Sequence, residues 1–147
     1  MLRYGIIHWG NAPWYHLDPI RVLQKRAVKS IAGIKARDST MEWFNELKFL
    51  FLEELFIHSA CTYVHRRKQE FGVYARPRAT RGGEDGAVAS VPRWNKFHSR
   101  LQGAYASPLA FNGLPSALRE VVNRKRFSKD LRQYLLSQRD STQVAYV

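Results

Sequence analysis

Three potential metal ligands lie close together in the middle of the chain. His58, Cys61 and His65 are spaced i, i+3 and i+7, so on a helix they fall roughly along one face. Zinc accepts both imidazole nitrogen and thiolate sulfur, but a tetrahedral site needs a fourth donor, and no Cys-x-x-Cys pair or second histidine pair supplies it. The surrounding stretch is apolar, where cysteine packs as a small hydrophobe. We therefore predict no metal site and no cofactor.

The patterns of other catalytic sites have little support. Cys61 and His65 suggest a nucleophile and base, but no third member or strained turn accompanies them. Glu53 and Glu54 are adjacent, and neighbours on a helix point apart. The glycine-rich stretch at 80–86 lacks the Gly-Lys-Ser/Thr ending of a phosphate-binding loop. The sequence predicts that this chain alone is not an enzyme.

Charge is the property in which the composition is most unusual. The 147 residues include 24 Lys and Arg against 12 Asp and Glu, a formal net charge of +12. Such an excess favours a polyanionic partner, nucleic acid first and an anionic membrane surface second. A single cysteine excludes an internal disulfide, and no stretch is apolar for long enough to span a membrane. We expect an intracellular protein that does not insert into a membrane.

An amphipathic helix is predicted in the first quarter of the chain. Asp18 and Pro19 suit its first positions and Gly33 suits its end. Apolar residues recur along it at spacings of three and four: Ile20, Leu23, Ala27, Val28, Ile31 and Ile34.

The first candidate nucleic-acid site is the basic face of this helix. Arg21, Lys25 and Lys29 are spaced i, i+4 and i+8, and Arg26 lies near the edge of their row. Phosphate contact and simple solvation explain such a row equally well.

The second candidate site is a basic stretch interleaved with aromatic residues. Its cations are Arg76, Arg78, Arg81, Arg93 and Lys96, and Tyr74, Trp94 and Phe97 lie among them. Such a segment can follow a phosphate backbone while a ring stacks on an exposed base, or it can be a linker kept soluble by its charge.

The remaining elements follow from capping and periodicity. Ser39 and Glu42 match a capping box before an apolar run to about Val64, broken near Phe49–Leu52. Gly and Pro between 72 and 103 predict a loop, with room for a short strand in 91–105. Helical spacing returns in 112–122 and 124–136. We predict a mainly α fold: a helical region at 1–71, a basic loop-rich segment at 72–103 and a C-terminal helical extension at 104–147.

Several strings together resemble one family. LRYGIIHWGN, LQKRAVKSIAGIKARDS and FNELKFLFLEELFI, in this order and spacing, resemble the C-terminal part of jockey-like non-LTR retrotransposon reverse transcriptases. The later motifs Thr80-Arg81 and Pro92-Arg93 fit the same pattern, as does the stretch Phe111–Pro115. The resemblance spans nearly the whole chain.

The resemblance implies a helical thumb and C-terminal extension that grips a template–primer duplex by its backbone. Leu2–Asn11 is then expected to be the tail of a helix whose beginning is missing. The aromatic-x-Asp-Asp motif that carries polymerase chemistry in that family has no counterpart here. The predicted function is non-specific nucleic-acid binding by a reverse-transcriptase remnant without its catalytic palm. Two alternatives are a helical protein-interaction module that pairs or self-associates through apolar faces, and a transposon-derived fragment without function.

Overall fold

The computed structural model describes residues 2–75, 87–91 and 103–142. This part of the chain is mainly helical, as predicted, and its only strands are two short ones. In chain order the elements are α1 Ile6–Trp9, α2 Trp14–Ala32, α3 Met41–Glu46, α4 Leu52–Arg66, β1 Tyr74–Ala75, β2 Ala87–Val88, α5 Gly103–Asn112, α6 Ser116–Arg119 and α7 Arg124–Thr142. None of these helices combines the length and apolar character needed to cross a membrane.

Helix α4 is the centre of the packing. One side contributes Cys61 and Val64 to a cluster with Phe111 of α5 and Phe127 of α7. The other side contributes Phe56 and Ala60 to a second cluster, described next. Because α4 is covered on more than one side, its near-continuous apolar sequence is explained by burial.

The second cluster joins the beginning of the chain to α4. Ile6 of α1, Leu17 of α2 and Ala106 of α5 are buried in it beside Phe56. Helix α1 begins after Gly5, whose positive φ of 62° is a conformation that glycine adopts without strain. The expectation that Leu2–Asn11 is the tail of a longer helix is therefore wrong for these residues, because the left-handed Gly5 interrupts any helix before Ile6.

Helix α2 begins earlier than its sequence predicts. It starts at Trp14 after Pro13, so the predicted start at Asp18 and Pro19 is wrong and Pro19 lies inside the helix. Pro19 cannot donate a hydrogen bond to the preceding turn, but the extra turn buries Leu17 in the second cluster. The predicted end is confirmed: Gly33 has φ 68° and its N–H donates to the Lys29 carbonyl.

Most of the apolar stripe of α2 is not buried. Val28 is buried, but the side chains of Leu23 and Ile31 are 59% and 64% exposed. Gln24 takes a buried place instead and its amide donates to the Leu50 carbonyl at 2.9 Å. Helix α2 thus rests on the bundle by a narrow face and leaves an apolar ridge free.

The helix break predicted near Phe49–Leu52 is confirmed. Helix α3 ends at Glu46 and α4 begins at Leu52. The predicted capping box is wrong: α3 starts at Met41, and the Ser39 hydroxyl accepts a bond from the Met41 N–H at 3.3 Å. A side-chain cap is found instead at the start of α4, where the Glu54 carboxylate accepts a hydrogen bond from the Phe51 N–H at 2.8 Å.

Within the predicted loop of 72–103, the residues that the structure describes include the two short strands. β1 and β2 pair antiparallel, with Tyr74 opposite Val88. The Asn112 side chain then bonds both the N–H and the carbonyl of Ala89, which attaches β2 to the end of α5. The short strand expected in 91–105 falls largely on residues outside the described ranges.

Helix α5 lies in the predicted C-terminal helical extension, although no helix was predicted individually at 103–111. It contains Pro108, and its small residues Ala106 and Ser107 are buried against the rest of the bundle. Gly103 lies so close to Ile7 that an added Cβ would be 2.6 Å from the Ile7 Cγ2 atom. Small side chains let α5 approach its neighbours closely, and that packing forms the helix despite its weak periodicity.

Candidate nucleic-acid interface

Four of the nine predicted nucleic-acid-binding cations lie on α2. The other five, Arg76, Arg78, Arg81, Arg93 and Lys96, fall outside the described residues, and their role stays a prediction. At 100° per residue, Arg21, Lys25, Arg26 and Lys29 occupy the side of α2 that faces away from the apolar ridge.

Two of the four α2 cations have partners within the protein. Arg21 forms an ion pair with Glu53 at the start of α4. Lys29 donates to the Ala36 carbonyl in the turn that follows α2. Both therefore contribute to the fold, and each would have to exchange or share its partner to bind a phosphate.

The other two cations are available to a ligand. Lys25 and Arg26 are exposed, and neither forms a hydrogen bond or ion pair with any residue that the structure describes. With no partner among the described residues, such charges attract solvent ions, which a polyanion displaces on binding. They form the strongest part of the predicted interface.

Two aromatic residues at the start of α2 share the side occupied by the free cations. Trp14 precedes Lys25 by eleven residues, and Tyr15 precedes Arg26 by the same interval, which is about three helical turns. The side chains of Trp14 and Tyr15 are 71% and 57% exposed. We name Trp14, Tyr15, Lys25 and Arg26 the outer face of α2. Asp18 is exposed on the same side, and its negative charge disfavours the binding of an anion there.

A second group of free cations lies on α7. Arg124, Lys125 and Lys129 are exposed and have no ion pair within the described part of the chain, whereas Arg126 pairs with Asp130 at 3.5 Å. The Asn123 side chain caps this helix by accepting from the N–H groups of Lys125 and Arg126. The sequence predicted this helix, but its cations were not among the predicted binding residues. The i, i+4 spacing of Lys125 and Lys129 was the available signal.

The histidines of α4 bind backbone carbonyls. His65 Nε2 donates to the Val121 carbonyl at 2.6 Å, and its ring stacks on Phe127 with centroids 4.1 Å apart. His58 Nε2 lies 3.1 Å from the Ser128 carbonyl and therefore carries the proton, while its Nδ1 accepts from Arg3 at 3.3 Å. Both rings join α4 to residues that begin or precede α7.

Burial sets the protonation of all three potential ligands. It lowers the pKa of His58, and the nearby Arg3 and Arg132 lower it further; burial likewise lowers the pKa of His65. Burial also raises the pKa of the Cys61 thiol to about 12. Among the described residues, no three His, Cys, Asp or Glu side chains are grouped so as to hold a metal ion.

A groove of about 440 Å³ lies on the ridge side of α2. Ala27 and Ile31 of α2 form one wall, His58 contributes from α4, and Arg3 and Arg132 supply charge. The described residues that line it include no acidic side chain. Ala27 lies two residues and Ile31 six residues after Lys25, rotations of about 160° and 120° around the helix axis, so the groove and the outer face of α2 lie on different sides of the helix.

No protein-family model, curated protein or solved structure matches the chain.

Proposed function

We propose that this chain binds the backbone of nucleic acids without sequence specificity, through the free cations of α2 and, in addition, those of α7. The observation that carries the proposal is that Lys25 and Arg26 are exposed and unpaired within the described chain, on a protein of net charge +12. Phosphate contacts of this kind supply affinity and position without reading bases.

The wider proposal is that the chain is a remnant of a reverse transcriptase and works as a thumb-like region inside the cell. Its support is the set of motifs that resemble the C-terminal part of that family. The sequence contains no adjacent pair of aspartates, so the proposed role is to hold a template–primer duplex and not to catalyse polymerisation.

The salt dependence of binding tests the proposal. Affinity for a labelled RNA–DNA hybrid should fall steeply as salt rises, because each neutralised phosphate releases counterions. In K25Q/R26Q the slope of log affinity against log salt should become shallower by about 1 per lost contact. Binding that is absent at low salt, or insensitive to salt, contradicts the proposal.

A matched variant separates the site from net charge alone. R66Q/R67Q also removes two positive charges. These lie at the far end of α4, about 20 Å along that helix from Glu53, the partner of Arg21. R66Q/R67Q should keep most of the parent's slope of log affinity against log salt. D18N should raise affinity, because it removes the acid from the same side of α2. If K25Q/R26Q and R66Q/R67Q reduce the salt slope equally, the binding site lies outside α2.

A second candidate function rests on the apolar ridge. Leu23, Ala27 and Ile31 are spaced i, i+4 and i+8 on the surface of α2, beside the groove that Ile31 also lines. Exposed contiguous apolar surface marks sites of protein association. This supports a helical interaction module that binds a protein partner or a second copy. Light scattering should then show a concentration-dependent mass that I31E reduces; a monodisperse monomer counts against self-association.

A further inference from the structure

The aromatic residues of the outer face of α2 have no structural role within the described chain. The rings of Trp14 and Tyr15 are mostly exposed, and their closest aromatic contacts are with each other and with the neighbouring His16. Neither residue belongs to the two buried clusters. Large aromatic rings contribute most of their stabilisation when buried, so this pair is available for contact with a partner.

The geometry of α2 aligns these rings with the free cations. Around the helix axis, Trp14 and Lys25 lie within about 20° of one another, and so do Tyr15 and Arg26. Along the axis, the two residues of each pair are about 16 Å apart. One side of the helix thus carries rings at one end and, within the described chain, unpaired positive charge at the other, with Pro19 between them. Such a combination of stacking surfaces and cations is how proteins hold single strands without reading sequence.

Base pairing decides which nucleic acid can use the rings. In a duplex the faces of the bases are covered by the neighbouring base pairs, so a protein reaches the phosphates and the groove edges but has no base face on which to stack a ring. In a single strand the bases are open to stacking. We propose that the outer face of α2 binds single-stranded nucleic acid, with unpaired bases stacked on Trp14 and Tyr15 and phosphates against Lys25 and Arg26. This inference rests on the proposed function and extends it: the cations bind the phosphates of a duplex and of a single strand alike, and the rings add affinity only for the single strand.

A membrane surface is the competing anionic partner, and the arrangement of α2 disfavours it. A helix that lies in a membrane interface gathers its aromatic and aliphatic residues on one face. Here Leu23 lies nine residues after Trp14, on the opposite side of the helix, and Ile31 lies nearly opposite Tyr15. The aromatic rings instead share their side with the cations and Asp18, and Val22 is the one large aliphatic residue among them.

The test measures affinities for a short oligothymidylate and for duplex DNA of equal length. W14L/Y15L should lose about 10-fold or more in affinity for the single strand, the loss expected for stacked bases, and should keep its affinity for the duplex. Y4L is the matched control, because Tyr4 is 92% exposed and lies on the turn before α1. It should change neither affinity. Thermal unfolding confirms that each variant is folded.

The outcomes separate this inference from the proposed function. If W14L/Y15L binds both ligands as the parent does, the stacking site is wrong while backbone binding stands. If the parent binds neither ligand at low salt, both proposals fail. If phosphatidylserine–phosphatidylcholine vesicles bind the parent and lose affinity in W14L/Y15L, while oligothymidylate binding is unchanged, the face is a membrane site and the inference is overturned.

Discussion

At the scale of single residues, the chemically versatile side chains of α4 serve the fold. His65 and His58 donate to carbonyls of residues that begin or precede α7, and Cys61 is enclosed in the core. Their spacing along one helix face was readable from the sequence. Their hydrogen-bond acceptors were not, because Val121 and Ser128 become neighbours of α4 only through the tertiary fold.

The two buried histidines predict a pH dependence of stability. Burial lowers their pKa in the folded state, whereas in the unfolded chain they take up protons as the pH falls through about 6.5. The unfolded state then binds more protons, so the free energy of unfolding should decrease as the pH falls below that value and should be fully retained above it.

Denaturant unfolding at several pH values tests this prediction. H58Q/H65Q should have a lower free energy of unfolding at neutral pH and a weaker decrease between about pH 7 and 5. H16Q serves as the control, because His16 is exposed on α2. A decrease that is as steep in H58Q/H65Q as in the parent would assign the effect to other groups.

Sequence patterns identified the candidate cations of α2 but not their availability. The i, i+4, i+8 row was read correctly as one face of a helix. The division between the engaged Arg21 and Lys29 and the free Lys25 and Arg26 depends on Glu53 and on the Ala36 carbonyl, which local spacing does not reveal.

At the scale of elements, an arginine at the end of α7 joins three parts of the chain. Arg139 forms an ion pair with Glu54 of α4 and also donates to the Asn45 side chain at 3.1 Å and to the Phe49 carbonyl. Its guanidinium lies 4.2 Å from the centre of the Phe51 ring. The pair is largely buried, so each charge depends on the other for solvation.

Removal of Arg139 should therefore destabilise the protein strongly. R139M leaves the Glu54 carboxylate buried and unpaired, and we expect a loss of about 3–5 kcal/mol in the free energy of unfolding. Adding E54Q should recover part of that loss.

The exposed pair between Arg126 and Asp130 provides the comparison. R126Q should cost no more than about 1 kcal/mol, because solvent screens an exposed pair. Chemical denaturation of the parent and the three variants measures all these values. An R139M loss no larger than that of R126Q would mean that the network contributes little.

The elements differ in how far the sequence predicted them. The helix break before Leu52 and the glycine end of α2 followed from local signals and are confirmed. The earlier start of α2 depends on Leu17 reaching the core, and α5 forms through the close packing of small residues such as Ser107. Both depend on tertiary contacts that outweigh local propensity.

At the scale of the whole molecule, the helices that pack around α4 carry exposed positive charge. On a chain of net charge +12, the free cations of the described part include two on the outer face of α2 and three on the first turns of α7. The mainly α class was predictable because apolar residues recur at helical spacing, even though two of the predicted helix starts are wrong. The groove and the apolar ridge became visible only when the packing of α2 was known.

Mapping the bound nucleic acid on the protein tests the central claim most directly. We would titrate isotopically labelled protein with the RNA–DNA hybrid and follow its amide and indole N–H resonances by NMR. The account predicts shifts at Lys25 and Arg26 that saturate with binding, while resonances around Arg66 stay in place. A hybrid that saturates the protein and leaves the α2 resonances unchanged would contradict it.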